Sequence, residues 1–178
     1  MIRSLAVLLL AAACTASPAA DVPLPPALEV GRLVTVTHVV DGDTFDVAGT
    51  ITPGKERVRL LSVNSPELNS RVRADDAECG AQAARDALAG LLPPGTQVVL
   101  RTLPGEPERD RYGRTLANAY VATEGTQPTN VSLWLIEHGH AVTYREFRTV
   151  ETDEALRLET QAQEQRVGMW SMCPGGAR

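Results

Sequence analysis

This 178-residue sequence lacks a long apolar run, has very little lysine and has no excess of basic charge. The apolar run from Leu5 to Ala13 falls far short of the roughly 20 residues that a membrane-spanning helix needs. The 17 Lys and Arg residues are outnumbered by 22 Asp and Glu, which argues against a basic coat for non-specific nucleic-acid binding. Lys55 is the only lysine, and arginine is the side chain whose planar fork pairs with phosphate through two hydrogen bonds. Any phosphate site is therefore local.

The N-terminal segment MIRSLAVLLLAAAC has a basic residue, an apolar run and then a cysteine. It resembles a bacterial lipoprotein signal over residues 1–14, in which Cys14 is lipidated and anchors the protein to a membrane. The alternative is an ordinary secretory signal cleaved nearer Ala20. Both interpretations place the mature protein outside the cytoplasm. Residues 15–31 are rich in proline and alanine, which favours an extended tether.

Cysteine is also scarce, with three residues in the whole chain. If Cys14 carries a lipid, Cys79 and Cys173 are left as a pair. An exported protein meets an oxidising environment, so we expect these two to form a disulfide. The alternative is that they are two independent small core residues.

Five alternating, β-branched segments predict strands, and the first three form an antiparallel meander. The segments are LVTVTHVV, TFDVAGTI, ERVRLLSV, TQVVLRTL and RTLANAYVA. Turns are expected at Asp41-Gly42 and at Pro53-Gly54. Asp-Gly between alternating hydrophobic residues is a strong hairpin signal because glycine accepts a positive φ, and we expect Gly42 to adopt one.

Three further segments have helical spacing: CGAQAARDALAGLL, NVSLWLIEHG and TDEALRLETQAQEQRVGMW. The second is expected to be capped by Asn130 and to end at Gly139, and the third to form one last helix. The element pattern predicts one α+β domain that is mainly β. We expect a five-stranded Greek-key barrel of the oligonucleotide-binding (OB) type with about three packed helices, over residues 32–173, followed by a tail of residues 174–178.

Three polar clusters carry the residue types of phosphodiester chemistry. They are Asp41-Gly42-Asp43-Thr44, the strand and its exit RLLSVNSPE, and the loop DRYGR. Together they supply hard oxygen ligands for a divalent ion, arginine forks for a phosphate and a spare carboxylate to activate water. The turn is expected to present Asp43 at the mouth of the barrel.

These three motifs, in this order, resemble the staphylococcal nuclease (thermonuclease) family over roughly residues 33–170. The resemblance implies a calcium-dependent phosphodiesterase on an OB-fold barrel, acting on DNA, RNA or both. It implies Asp43, Asn64 and the backbone carbonyl of Ser65 as calcium ligands, with Asp41 in support. It further implies the catalytic residues Arg59, Glu67 and Arg114 and the substrate contacts Arg111, Tyr112 and Tyr144. We expect the protein to act as a monomer.

The chain departs from the family pattern at two ligand positions, since the best-known member has Asp in place of Asn64 and Thr in place of Ser65. The second change is harmless if the ligand is a backbone carbonyl. Asn64 offers a carbonyl oxygen but one negative charge fewer, so we expect weaker calcium binding. The alternative function is a catalytically weak or inactive barrel that binds nucleic acid or a protein partner at the cell surface.

Overall fold

The computed structural model describes residues 31–48, 54–68, 77–103, 108–122 and 127–174. The predicted signal of residues 1–14, including Cys14, lies outside the described residues, as do the tether up to residue 30 and the tail from residue 175. Among the described residues, no helix combines the length and the apolar character that crossing a bilayer requires.

A closed barrel of five strands is the centre of the fold, as the sequence predicted. In chain order the strands of the described residues are β1 (Arg32–Asp41), β2 (Thr44–Ala48), β3 (Lys55–Leu60), β4 (Val63–Asn64), β5 (Gln97–Arg101), β6 (Thr115–Val121), β7 (Thr129–Asn130) and β8 (Val142–Thr143). The barrel order is β3-β2-β1-β5-β6, and β6 returns to pair with β3 in parallel. That parallel pairing removes the open edges of the sheet.

Strand β1 serves two walls of the barrel because it changes partner along its length. Its first residues, Arg32 to Thr35, pair with β5, and the stretch from Val36 to Asp41 pairs with β2. The register with β2 is irregular between Val36 and His38 and again before Asp41. Such bulges bend and twist a strand, which is how one strand turns the corner of a small barrel.

The barrel interior is filled by the inward-facing residues of the alternating strands. Phe45, Val47, Val58 and Leu60 are almost completely buried, as is Leu88, which helix α1 (Ala81–Leu91) contributes to the same core. Successive strand residues point to opposite faces. In β3 this leaves the residues at positions 55, 57 and 59 facing outward, and the alternation therefore determines which basic side chains can meet a ligand.

The remaining helices are α2 (Val131–Glu137), α3 (Thr152–Gln165) and α4 (Met169–Met172). Asn130 caps α2 as predicted, since its side chain accepts hydrogen bonds from two backbone N–H groups of the first turn. The prediction of one continuous last helix was wrong, because α3 ends at Gln165 and α4 begins after Gly168. A Cβ on Gly168 would lie 2.3 Å from the backbone oxygen of Gly139, so the close approach of these two glycines breaks the helix.

The third predicted strand also ends earlier than expected. Ser62 has a φ of 66°, a conformation that breaks a strand, and the chain then forms the short β4, which pairs with β8. The loop is held from two sides, since Ser132 Oγ donates to Leu61 O at 2.8 Å and Tyr144 N donates to Ser62 O at 3.0 Å. This break carries the segment from Asn64 onward away from the barrel wall.

Cys79 and Cys173 form a disulfide, as predicted from the cysteine count. Cys79 lies two residues before α1 and Cys173 directly follows α4, so the bridge joins these two helix ends across a sequence separation of 94 residues. Closing a loop of this length contributes about 4–5 kcal/mol on the chain-entropy model.

Candidate active site

The site begins at the turn between β1 and β2, where Asp41 pairs with Thr44 and leaves Gly42 and Asp43 as the two turn residues. The expectation of a positive φ at Gly42 was wrong, because Gly42 is not among the residues with positive φ. The structure gives a different reason for glycine. A Cβ at this position would lie 2.7 Å from the Cβ atoms of both Ser65 and Ala84, so glycine lets the turn approach the Ser65 loop and helix α1.

Asp43 lies beneath the surface and is only 3% exposed. Its Oδ2 accepts a hydrogen bond from Ser65 N at 2.9 Å, and its Oδ1 accepts one from Thr44 Oγ1 at 3.0 Å. The Asp43 N–H in turn donates to Asp41 Oδ1 at 3.2 Å. The carboxylate thus ties the turn to the loop that carries Asn64, Ser65 and Glu67.

Arg59 is the cationic partner of Asp43, with Nη2 at 3.0 Å from Oδ2. The same Nη2 donates to Asn64 Oδ1 at 3.2 Å, while Nη1 donates to the carbonyl oxygens of Leu60 and Val63 at 2.6 and 2.9 Å. The side chain is only 13% exposed. The break at Ser62 makes this possible, because the loop curls back over the guanidinium group and points its carbonyls at it.

A cavity of about 640 Å³ opens above these residues and brings together most of the predicted site. Its lining includes Arg59, Asn64, Glu67, Arg111, Tyr112, Arg114 and Tyr144. Asp41, Asp43 and Ser65 do not line it. The predicted site is therefore divided into a layer that faces the cavity and a buried layer below it.

Glu67 is held in place through its backbone. Its N–H donates to Glu78 Oε2 at 3.0 Å, and its carbonyl accepts from Glu78 N at 2.9 Å. Burial raises the pKa of the Glu67 carboxyl above its ordinary value, the negative charge of Asp43 raises it further, and Arg59 lowers it. Among the ion pairs of the described residues none includes Glu67, and Glu67 lines the cavity.

Arg114 reaches the cavity from the loop before β6 and is oriented by Asp110, a residue to which the sequence interpretation gave no role. Arg114 Nε donates to Asp110 Oδ2 at 2.7 Å, and the N–H groups of Tyr112 and Arg114 both donate to Asp110 Oδ1 at 2.9 Å. The signal was present in DRYGR, since an Asp at the start of a turn commonly accepts from the N–H two residues on. The guanidinium groups of Arg111 and Arg114 lie 4.8 and 5.5 Å from the centre of the Tyr112 ring.

Tyr144, the other predicted nucleotide contact, also lines the cavity, and its hydroxyl donates to Glu146 Oε2 at 2.8 Å. The cavity thus has an aromatic ring from the DRYGR loop and another from the segment that follows β8. Aromatic side chains stack on nucleotide bases without reading their sequence.

The oxygen atoms around the turn suit a hard divalent cation. Burial raises the pKa of Asp41 to about 6, and the neighbouring Asp43 carboxylate contributes to that shift. Among the described residues, no group of three or more His, Cys, Asp or Glu side chains has the arrangement of a metal site. The oxygen atoms present here are the Asp43 carboxylate, Asn64 Oδ1 and backbone carbonyls, which are ligand types that a hard divalent cation accepts.

Comparison with known proteins adds independent information. The family model described as "Staphylococcal nuclease homologue" matches residues 57–172. The chain is 36% identical to Protein ParB of Escherichia coli over 140 residues, which cover 76% of this chain and 71% of that protein. It is 33% identical to Micrococcal nuclease of Shigella flexneri over 76% of this chain and 72% of that protein. It is 32% identical to Endonuclease Htp3 of Saprolegnia parasitica over 80% of this chain and 70% of that protein.

Proposed function

The chain belongs to the staphylococcal nuclease family, and from that premise we propose that it is a calcium-dependent nuclease that hydrolyses phosphodiester bonds of DNA, RNA or both. The observation that carries the proposal is the cavity of about 640 Å³, which has the guanidinium groups of Arg59 and Arg114, the carboxylate of Glu67 and two tyrosine rings among its lining groups. Two relatives with nuclease in their names support the same class of reaction.

The residues that would hold calcium are Asp43, Asn64 and the backbone carbonyl of Ser65. Asp41 supports Asp43, because Asp41 Oδ1 accepts a hydrogen bond from the Asp43 N–H. All are oxygen donors, the ligand type that calcium prefers. When bound, calcium would neutralise the charge that develops on the phosphate and lower the pKa of a water molecule. With Asn64 the site carries one formal negative charge fewer than with Asp at this position. Calcium should therefore bind more weakly than at a site with Asp.

The two arginines supply the electrostatic part of the mechanism. Attack on a phosphodiester adds negative charge to oxygens that already repel a nucleophile. Arg59 and Arg114 come from different elements, β3 and the loop before β6, and both line the cavity. A phosphate between them would receive charge-assisted hydrogen bonds that strengthen as its charge grows, which lowers the barrier.

Glu67 is the residue that accepts the proton of the attacking water. It lines the cavity with both arginines, and its backbone is fixed by Glu78. A carboxylate that is not tied up in an ion pair can take a proton, whereas Asp43 is bound to Arg59. Tyr112 and Tyr144 hold the nucleotides on either side of the reacting phosphate by stacking.

For the cellular location we propose export, with Cys14 as the lipid-bearing residue and with a monomeric catalytic domain. The export and the lipid anchor rest on the sequence of residues 1–31. Replacement of Cys14 by Ser should release the protein from the membrane fraction. Mass spectrometry that finds an unmodified N-terminus beyond residue 14 would contradict the lipid anchor.

The nuclease proposal is tested by digestion of DNA and RNA with the purified protein in calcium, in magnesium and in a chelator. Cleavage that appears with calcium and stops in the chelator supports it. Binding of nucleic acid without cleavage in every metal would replace it with the alternative function, a barrel that binds nucleic acid without cutting it.

A further inference from the structure

A row of basic side chains extends away from the candidate active site along the outer face of β3. Lys55, Arg57 and Arg59 occupy alternate positions of this strand, while Val58 and Leu60 between and beyond them are buried in the barrel. Alternate residues of a strand lie on one face and are about 6.6–6.8 Å apart. The row therefore begins at Arg59 in the large cavity and leads outward over two more cations.

The two outer members of the row share one buried carboxylate. Lys55 Nζ lies 2.6 Å from Asp46 Oδ2 and Arg57 Nε lies 2.9 Å from Asp46 Oδ1, and the Asp46 side chain is fully buried. The two basic side chains themselves are 56% and 45% exposed. Among the described residues, these two cations have one carboxylate at ion-pair distance, which leaves a local surplus of one positive charge, while the negative charge of Asp41 acts on Arg57 from farther away. Arg59 and Arg114, by contrast, are each matched by a carboxylate within the site.

A second cavity lies at this end of the row. It has a volume of about 390 Å³ and is lined by Asp46, Lys55, Arg57, Tyr112, Gly113 and Arg114. Tyr112 and Arg114 line the large cavity as well, so the two cavities share a wall. A polymeric ligand that extends from the large cavity past Tyr112 and Arg114 would next contact Lys55 and Arg57.

We propose that Lys55 and Arg57 form a second phosphate-binding subsite, which holds the backbone of a nucleic-acid strand beyond the phosphate that is cleaved. The inference rests on the proposed function, because it extends the substrate path of the same site. The ligand is a polynucleotide and not a free mononucleotide, since the subsite adds to binding only when one strand spans both cavities. In a chain with a net charge of −5, such a local surplus also directs a polyanion to the site.

Asp46 has a definite part in this arrangement. Without it, two long basic side chains side by side would repel each other and move freely. The Asp46 carboxylate holds both at fixed positions and lies on β2 directly opposite Arg57 in the sheet register. Their remaining N–H groups can then meet a phosphate with little loss of side-chain entropy.

The experiment compares single replacements of the two cations, Lys55→Gln and Arg57→Gln, because each leaves Asp46 with one partner and the fold intact. Binding of a labelled single-stranded oligonucleotide is measured by fluorescence anisotropy in chelator over a range of salt concentrations. Each variant should weaken binding about two- to fivefold, in line with the loss of one exposed ion pair. Each should also reduce the slope of log affinity against log salt by about 0.7, the value for one contact to a single strand.

Two controls isolate the effect of charge at this place. Lys55→Arg keeps the charge and should bind as the wild type does. Arg157 of α3 is similarly exposed and ion-paired, and it lines neither cavity. Arg157→Gln should therefore leave both the affinity and the salt slope unchanged. In the presence of calcium, Lys55→Gln and Arg57→Gln should lower kcat/KM more for the oligonucleotide than for a dinucleotide.

The outcomes separate the subsite from the nuclease proposal. If the wild type cleaves nucleic acid but both glutamine variants keep its affinity and salt slope, the subsite is refuted and the nuclease remains. If the wild type cleaves nothing yet the two variants lose binding and slope, the nuclease is refuted and the subsite stands. Equal losses in Arg157→Gln would show a general charge effect and would also refute the subsite. Melting temperatures within a few degrees of the wild type establish that each variant is folded.

Discussion

Replacement of Asp43 by Ala should both destabilise the fold and abolish its response to calcium. The carboxylate is buried and receives hydrogen bonds from Ser65 N and Thr44 Oγ1 in addition to its pairing with Arg59. Removing one partner of a buried ion pair costs about 3–5 kcal/mol, because the other charge is left without compensation. Asp43 is therefore part of the framework of the domain as well as a proposed ligand.

The surroundings of Arg59 reduce this cost. The guanidinium group keeps its acceptors Leu60 O, Val63 O and Asn64 Oδ1, and its side chain is 13% exposed to water. We therefore expect a loss of about 2–4 kcal/mol in the free energy of unfolding. For a domain of this size that lowers the melting temperature by about 5–15 °C. Asp43→Asn, which keeps an acceptor for Ser65 N, should lose about half as much.

Calorimetry in chelator and in calcium is the assay. A ligand that binds the native state stabilises it by about 2.7 kcal/mol at a concentration of 100 times its Kd. The wild type should therefore melt higher in saturating calcium, whereas Asp43→Ala and Asp43→Asn should melt at the same temperature with and without it. If Asp43→Ala melted in chelator at the same temperature as the wild type, the ion pair would not contribute to stability as predicted. A calcium-dependent rise that persists in both variants would refute Asp43 as a ligand.

Asn64→Asp adds a charged ligand and should lower the calcium concentration for half-maximal activity about tenfold, and an unchanged titration would exclude the side chain as a ligand. Arg114→Ala should slow single-turnover cleavage about a hundredfold, and Asp110→Asn, which releases Arg114, about tenfold, with no further loss in the double variant. Hydrogen bonds from Arg57 and Lys55 lower the pKa of Asp46 in spite of its burial, so its stabilisation is complete above about pH 5 and is lost as the pH falls through the lowered pKa. Denaturant titrations of Asp46→Asn should accordingly show a flatter loss of stability with acid. Reduction of the disulfide should lower the free energy of unfolding by up to about 4–5 kcal/mol, and an unchanged denaturation midpoint would contradict its role.

Local patterns predicted most of the fold, because alternation and capping act over a few residues. The meander follows from period-two alternation, and the start of α2 follows from Asn130. The break at Ser62 after the third strand and the break between α3 and α4 were missed. Both depend on contacts distant in sequence, since Gly168 packs on Gly139 and the Leu61-Ser62 loop is held by Ser132 and Tyr144.

The three motifs and the resemblance supplied the candidate site residues, but they did not supply the burial of those residues. The family resemblance implied that Arg59, Glu67 and Arg114 belong to one site, and all three line the same cavity. It gave no sign that Arg59 is bound to Asp43, that Gly42 is required by the approach of Ser65, or that Asp110 orients Arg114. Ion pairs and close approaches between separate segments depend on the packed geometry, which periodicity does not contain.

The central claim is that the residues of the large cavity carry out phosphodiester hydrolysis. The most direct measurement is the single-turnover rate of DNA and RNA cleavage in saturating calcium for the wild type, Glu67→Gln and Glu154→Gln. Glu154 is an exposed α3 residue paired with Arg157, and its replacement serves as the matched control. We predict that Glu67→Gln loses at least about a hundredfold in rate while melting normally, and that Glu154→Gln cleaves as the wild type does. Wild-type cleavage by folded Glu67→Gln would contradict the account.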